Sequence, residues 1–274
     1  MLLRLADFFK NMKKNTITKR IERKGVPFLV FEPLLKFPFL NHGFSTRLGG
    51  VSTGEFATMN LSYERGDEAE RVDENYRRIC QALLVSVDDL VFTQQTHTTN
   101  VVRVEKPGRY LKEVDGLVTN TPGLVLVTSY ADCVPLFFVD PVNKAIGLSH
   151  SGWRGTQGEI GRKTVEKMQA EFGSQPEEIF AVIGPSICGN CYEVSKEVAD
   201  LFPKEAKWQK EDSPKDKYQL DLWKANELVL KKAGLLSEHI FVSGLCTACN
   251  HELLFSHRAS GGKRGNLCGF LNIW

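Results

Sequence analysis

LVLVTSYADCVPLFFVDPVNKAIGLSH, residues 124–150, holds three short apolar runs in close succession: LVLVTSY (124–130), VPLFFVD (134–140) and KAIGLSH (144–150). Runs of this length, rich in β-branched and aromatic residues and bounded by Asp, Asn or Pro, read as strands. Outward in both directions the same type recurs as PFLVF (27–31), DLVF (89–92), NVVRVE (100–105), EIFAVIG (178–184), HIFVSG (239–244) and CGFLNIW (268–274). Helical spacing falls at 67–84, 156–172, 194–202 and 220–233. In the second of these, Ile160, Thr164, Met168 and Phe172 make one stripe, which Gly173 is placed to end. KWQKEDSPKDK (207–217) is polar and carries a proline, so it reads as an exposed loop. The opening segment 1–14 reads as a short amphipathic helix docked on its own domain, with Leu2, Leu5, Phe9 and Met12 at helical spacing. There is no linker, tandem repeat or low-complexity tract. Strands and helices mixed in this way predict sheets covered by helices, α+β or α/β, in one domain over 1–274.

Composition narrows the function classes. The chain has 274 residues, with 35 Lys and Arg against 33 Asp and Glu, a net charge of +2. Phosphate-backbone binding needs a clustered basic excess, so a nucleic-acid partner is not expected. Hydrophobic residues at 42% and charged residues at 25% leave ample apolar surface to bury, which argues against disorder. No run approaches the roughly 18 apolar residues of a membrane span. Arg4, Asp7 and Lys10 interrupt the first residues, so they lack the core of a signal peptide. Seven cysteines, an odd number, then fit a reducing compartment in which thiols are buried, metal-bound or reactive. The expectation is a cytoplasmic protein with no membrane partner.

Two groups of residues carry candidate chemistry. Cys188-Gly-Asn-Cys191 and Cys246-Thr-Ala-Cys249 are CxxC pairs, and four thiolates in two such pairs can close a tetrahedral zinc site. Yet 54 residues lie between Cys191 and Cys246, against the roughly 15–20 of a ribbon-type site. Two sets of small buried residues at turns is the competing reading. The second group is His97 after VFTQQT, Cys133 between two strands, and His150 at the end of KAIGLSH. Two imidazoles and a thiolate suit a catalytic zinc that keeps a fourth position open. Packing histidines and a small hydrophobic cysteine would give the same letters, and spacing alone does not bring the three together.

Several longer segments bear on that question. HGFSTRLGGVSTGEFATMNLSYERGDEAERVDENYRRIC (42–80), QQTH (94–97), DGLVTNTPGLVLVTSYADCVPLFFVDP (115–141) and IGLSHSGWRGT (146–156) run in order along the chain. IGPSICGNCYEVS (183–195), CTACN (246–250) and FSHRASGGKRGN (255–266) follow. Together they resemble the YfiH/YlmD laccase-domain family, its bacillary YlmD-like branch in particular. The resemblance implies a layered α/β/β/α sandwich of the α+β class, related to the catalytic domain of cytotoxic necrotizing factor. It also implies that His97, Cys133 and His150 bind one metal, usually zinc, although such ligation suits copper as well. The chain departs from the family where Arg258 is followed by Ala259, and where the loop ending is drawn out as Gly262-Lys263-Arg264-Gly265.

The activities implied by the resemblance are purine nucleoside phosphorolysis, adenosine deamination and methylthioadenosine phosphorolysis, with nucleosides and phosphate as the small-molecule partners. Zinc at such a site brings hydroxide within reach near neutral pH for attack on C6 of adenosine. Asp132 is the carboxylate adjacent in sequence for moving protons. For phosphate, Arg47 is the first candidate, because guanidinium forms bidentate bonds and Gly49 and Gly50 permit close backbone approach. Arg154 and Arg258 follow on the same grounds. Three rivals stand beside this reading. One is a metal-free cysteine hydrolase or deamidase using Cys133 and His150. The second is a copper-dependent polyphenol oxidase, for which six histidines in the whole chain are few. The third is a zinc-stabilised binding protein built on the CxxC pairs.

Overall fold

The computed structural model describes residues 17–211 and 213–274, and the helix expected over 1–14 lies outside them. The apolar runs become strands of two large sheets. The first has the order β1 (Thr18–Arg23), β2 (Val26–Phe31), β3 (Leu40–Ser45), β16 (Leu267–Ile273), β8 (Val125–Tyr130), β4 (Leu90–Gln94), β6 (Gly108–Lys112). The second runs β15 (Ile240–Val242), β11 (Phe180–Ile183), β9 (Val134–Asp140), β10 (Ala145–Ser151), β7 (Gly116–Thr119), β5 (Val101–Arg103). A small third sheet joins β12 (Glu193–Ser195), β14 (Lys217–Leu220) and β13 (Lys207–Trp208).

Strand alternation sorts the side chains into three apolar layers. In β9, Phe137 and Val139 face the other sheet, where they join Phe31, Phe44, Leu126 and Leu271. Val134, Leu136 and Phe138 face the opposite way, onto Ile160, Val165 and Met168 of a helix, α3 (Ile160–Phe172). On the first sheet, Val125, Val127 and Phe270 pack under Val72, Tyr76 and Ile79 of α1 (Ala69–Leu83). The outcome is a helix/sheet/sheet/helix sandwich. Both sheets are covered on both faces, so a central strand needs no polar side, and all seven residues of VPLFFVD are buried.

Three local expectations are corrected. The single helix expected over 156–172 is two, α2 (Trp153–Gln157) and α3, separated at Glu159, whose φ of 60° is left-handed. The helix expected over 194–202 is only α4 (Lys196–Ala199), because Val194 pairs with Tyr218 in the small sheet. The loop expected over 207–217 begins as β13, with Lys207 opposite Leu220. The helix expected over 220–233 is α5 (Leu222–Lys232), which joins α3 in covering the second sheet. No helix among the described residues is long and apolar enough to cross a membrane.

The topology makes one end of the sandwich special. β4 and β8 are parallel neighbours, so they finish at the same end. The chain leaves β8 there, crosses to the second sheet through 131–133 and starts β9. β10 runs antiparallel to β9 with His150 opposite Pro135, so it finishes where β9 starts. The residues just after β4, those between β8 and β9, and the last residues of β10 therefore meet.

Candidate metal centre and cavity

His97, Cys133 and His150 are what that meeting brings together. Their donor atoms lie within 4.8 Å of one another, about twice a zinc–ligand bond of roughly 2.0–2.3 Å. Cys133 Sγ is 3.8 Å from His97 Nε2, and the two imidazoles stand edge to face with centroids 4.9 Å apart. His97 and Asp132 both take left-handed backbone angles, φ 62° and 86°, a conformation that costs non-glycine residues energy and needs support from elsewhere.

Asp115, fully buried at the start of β7, supplies the support on the His97 side. Its carboxylate accepts from the backbone N–H groups of Thr96, His97 and Thr98 at 3.1, 3.1 and 2.8 Å. The hydroxyl of Thr98 adds a further bond at 2.9 Å. The same carboxylate holds Nδ1 of His150 at 2.8 Å, while the His150 N–H donates to the Asp115 carbonyl at 2.7 Å. Nε2 of His150 is thereby left for a metal, the arrangement in which a carboxylate orients a ligating histidine. Asp115 carries no sequence motif of its own; an aspartate opening the apolar strand GLVT was the available signal.

The electrostatics are coupled. Burial pushes the Asp115 carboxyl up, but its bonds to His150 and Thr98 bring it below the ordinary carboxylate range. Burial likewise works against a Cys133 thiolate, yet the His150 and His97 imidazoles outweigh it and lower the thiol. His150 moves the other way: burial disfavours its charge, and Cys133 with Asp115 more than restores it. Both shifts favour a thiolate at Cys133 and a charged imidazole at His150, a pairing in which a cation can displace the imidazole proton. Two imidazoles and a thiolate are the donors that zinc and copper take, so the residues present fit a bound metal.

Gly152 leaves room for this centre. A Cβ there would lie 2.7 Å from His97 Cδ2 and 3.1 Å from Cys133 Sγ, although its φ of −69° suits any residue. Gly152→Ala is expected to push His97 aside and weaken metal binding about tenfold or more, with little change in melting temperature. Competition against a chromogenic chelator, read beside a melting curve, checks both parts; unchanged affinity would remove the steric argument.

Beside the three donors opens a cavity of about 480 Å³, within the roughly 300–1,000 Å³ range of small-ligand sites. Phe92, Tyr192, Arg65, His257, Arg258 and Arg264 are among its walls. Arg264 stands out. It is 8% exposed, its Nε has no hydrogen-bond partner, and burial together with the Arg65 charge lowers its pKa to about 10. Two arginines in one wall, one of them held below its ordinary pKa by burial and by the other's charge, favour an anion between them.

The other candidates are distributed unevenly. Asp132 lines the cavity, but one carboxylate oxygen accepts from Thr247 Oγ1 at 2.6 Å and the other from the Arg258 N–H at 2.7 Å. Arg258 also lines it, with its guanidinium donating to the carbonyls of Cys191 and Glu193. Arg154 is exposed and lies over the Trp153 ring at 4.1 Å, outside the lining. Arg47 lies elsewhere. It is not in the cavity wall; Nε and Nη1 donate to the carbonyls of Ala57 and His251 at 3.0 and 2.8 Å, and the group stacks on Phe255. The close approach at Gly50 is to the Thr58 carbonyl, 2.1 Å from where a Cβ would sit.

Comparison with known proteins identifies the family and the fold. A family model described as multi-copper polyphenol oxidoreductase laccase matches residues 41–274. The chain is 40% identical over 243 residues to purine nucleoside phosphorylase YlmD of Bacillus subtilis (strain 168), 84% of this chain and 87% of that one. It is 36% identical over 237 residues to adenosine deaminase RL5 of an unknown prokaryotic organism, covering 81% and 90% respectively. The crystal structure of YlmD from Geobacillus stearothermophilus matches with a TM-score of 0.88 at 34% identity, over 94% of this chain and 99% of that chain. The layered α+β fold expected from the sequence is the one observed.

Proposed function

The chain belongs to the family described as multi-copper polyphenol oxidoreductase laccase, and on that premise we propose that it is a zinc-dependent purine nucleoside phosphorylase that also deaminates adenosine and phosphorolyses methylthioadenosine. The observation that carries the reading is the meeting of His97, Cys133 and His150 in the wall of a cavity that is also lined by aromatic residues and by Arg65, Arg258 and Arg264. The names of its relatives point the same way.

His97, Cys133 and His150 would hold the zinc, which when bound would supply Lewis-acid chemistry near neutral pH. Asp115 keeps the His150 proton on Nδ1 and the ring in place. Tyr192 and Phe92 line the cavity and give it the apolar, aromatic wall that a purine base needs. Arg264, with Arg65 beside it, holds phosphate. In phosphorolysis a phosphate oxygen bonds to C1′ of the ribose, the bond from C1′ to N9 breaks, and the base leaves with a proton. In deamination water oxygen bonds to C6 and ammonia leaves. Both oxygens of Asp132 are engaged, so His257 is the better group to move a proton. It lines the cavity, and burial with the Arg264 charge lowers its pKa.

The paired thiolate and imidazolium also favour a second reading, a metal-free hydrolase with Cys133 as nucleophile and His150 as its base. Multicopper oxidation has less support. His42 is spent in the core, accepting the Phe31 N–H at 2.8 Å, and His239 stacks on Phe180. Among the described residues, the two groups able to share a metal are this one and the four CxxC cysteines, and neither is an imidazole-rich copper cluster.

Incubation of zinc-replete protein with adenosine tests the proposal. With phosphate the expected products are adenine and ribose 1-phosphate; without it, inosine and ammonia. At saturating adenosine, added phosphate should suppress inosine. Arg264→Gln should raise KM for phosphate about tenfold or more and spare deamination. No turnover of any purine nucleoside would overturn the proposal.

A further inference from the structure

We propose that Cys188, Cys191, Cys246 and Cys249 form a second metal site, a structural tetrathiolate zinc that braces the wall of the cavity. The four Sγ atoms lie within 4.8 Å of one another, and those of Cys191 and Cys249 are 3.4 Å apart. Zinc–sulfur bonds of roughly 2.3 Å arranged tetrahedrally place sulfurs at such separations. All four are free thiols.

The wide spacing in sequence is no obstacle once the sheet is known. β11 and β15 are parallel neighbours, with Ile183 beside Val242, so both end at the same edge. The intervening stretch includes the small sheet and α5, and it returns the chain to its starting edge. Each strand then runs into one CxxC turn. A backbone bridge between Ser186 and Cys246 holds the turns in register: Ser186 N–H donates to Leu245 at 3.2 Å, and Thr247 N–H to Ser186 at 3.1 Å.

The turns are also shaped for thiolates. The N–H groups of Cys188 and Cys249 point at Cys246 Sγ, at 3.2 and 3.4 Å. Backbone donors aimed at a ligand sulfur stabilise its anionic form, and four clustered thiolates require a cation to offset their repulsion. Gly189, inside the first turn, lies beneath the Trp208 ring, 2.4 Å from where a Cβ would sit, so a larger residue there has to displace that ring.

The site bears on the cavity by direct bonds. The Cys191 carbonyl accepts from Arg258, and the next residue, Tyr192, is a cavity wall. Thr247, inside the second turn, donates to Asp132, the neighbour of Cys133. A zinc here would fix the part of the wall that carries Tyr192, Arg258 and Asp132 without touching the reacting atoms.

Metal analysis of protein purified under reducing conditions tests this, independently of any nucleoside activity. The parent is expected to carry two zinc ions per chain, and Cys133→Ser one. Cys249→Ser, at an exposed position, should also carry one and melt on the order of 5 °C lower. Cys249→His, which restores a three-thiolate, one-imidazole site, should regain the second ion. Cobalt-loaded Cys133→Ser should keep the intense thiolate charge-transfer absorption of a tetrathiolate site, and Cys249→Ser should lose it. No zinc in Cys133→Ser, equal zinc in the parent and in Cys249→Ser, or disulfides among these four in anaerobically prepared protein would overturn the proposal.

Discussion

Cys133→Ser is expected to empty the centre formed with His97 and His150 and to lower nucleoside turnover by about 10³-fold or more. The reason is the charge of the ligand. A cysteine bound to zinc is a thiolate, and here the two imidazoles already favour that form before any metal arrives. Serine presents a neutral hydroxyl that zinc does not deprotonate as readily. His97→Ala and His150→Ala should follow the same course, each removing one of three anchors, and a chelator should inactivate the parent reversibly. The nucleophile reading predicts another pattern: Cys133→Ser inactive with its metal retained, and His97→Ala mild, because His97 has no part in a pair of Cys133 and His150. Zinc content and kcat measured on one preparation of each variant separate the two. Stoichiometric zinc at this centre in an inactive Cys133→Ser protein would sink the ligand assignment.

The second large effect is expected at Asp115, which touches no substrate. Its carboxylate receives five donors: three backbone N–H groups, the Thr98 hydroxyl and His150 Nδ1. Asparagine has one oxygen for these donors and turns an NH₂ toward the rest. Asp115→Asn should therefore weaken zinc binding about 10- to 100-fold and cost on the order of 2–4 kcal/mol of stability through buried donors left unpaired. Chelator competition and a urea transition measure the two losses. The pH dependence has a definite sign. The folded pKa of Asp115 lies below its unfolded value of about 3.9, so its contribution is complete above that pH. It is lost as the pH falls through the folded value, and the stability gap between parent and Asp115→Asn should narrow there. A variant with parental zinc affinity would show that His150 needs no such partner.

What the sequence determined by itself is local. VPLFFVD is β9 to the residue, and Gly173 ends its helix in a left-handed turn, because burial pattern and capping depend on near neighbours. The same holds for three metal-type donors placed at strand ends. TKRIER and LNHGFS were illegible as strands: the first is a charged edge, and the second, with His42 and Gly43 in it, owes its extended form to its partners β2 and β16. Tertiary structure decided the rest. His97, Cys133 and His150 meet because β4 lies parallel to β8 and the chain then changes sheets. The CxxC pairs meet because β11 lies parallel to β15. Arg47 is held by carbonyls at residues 57 and 251, away from the cavity wall. Asp115 gained its role from residues 96–98 and 150. A side chain's propensity is a property of its own segment, whereas the donors and charges that face it are set by strand register across the sheets.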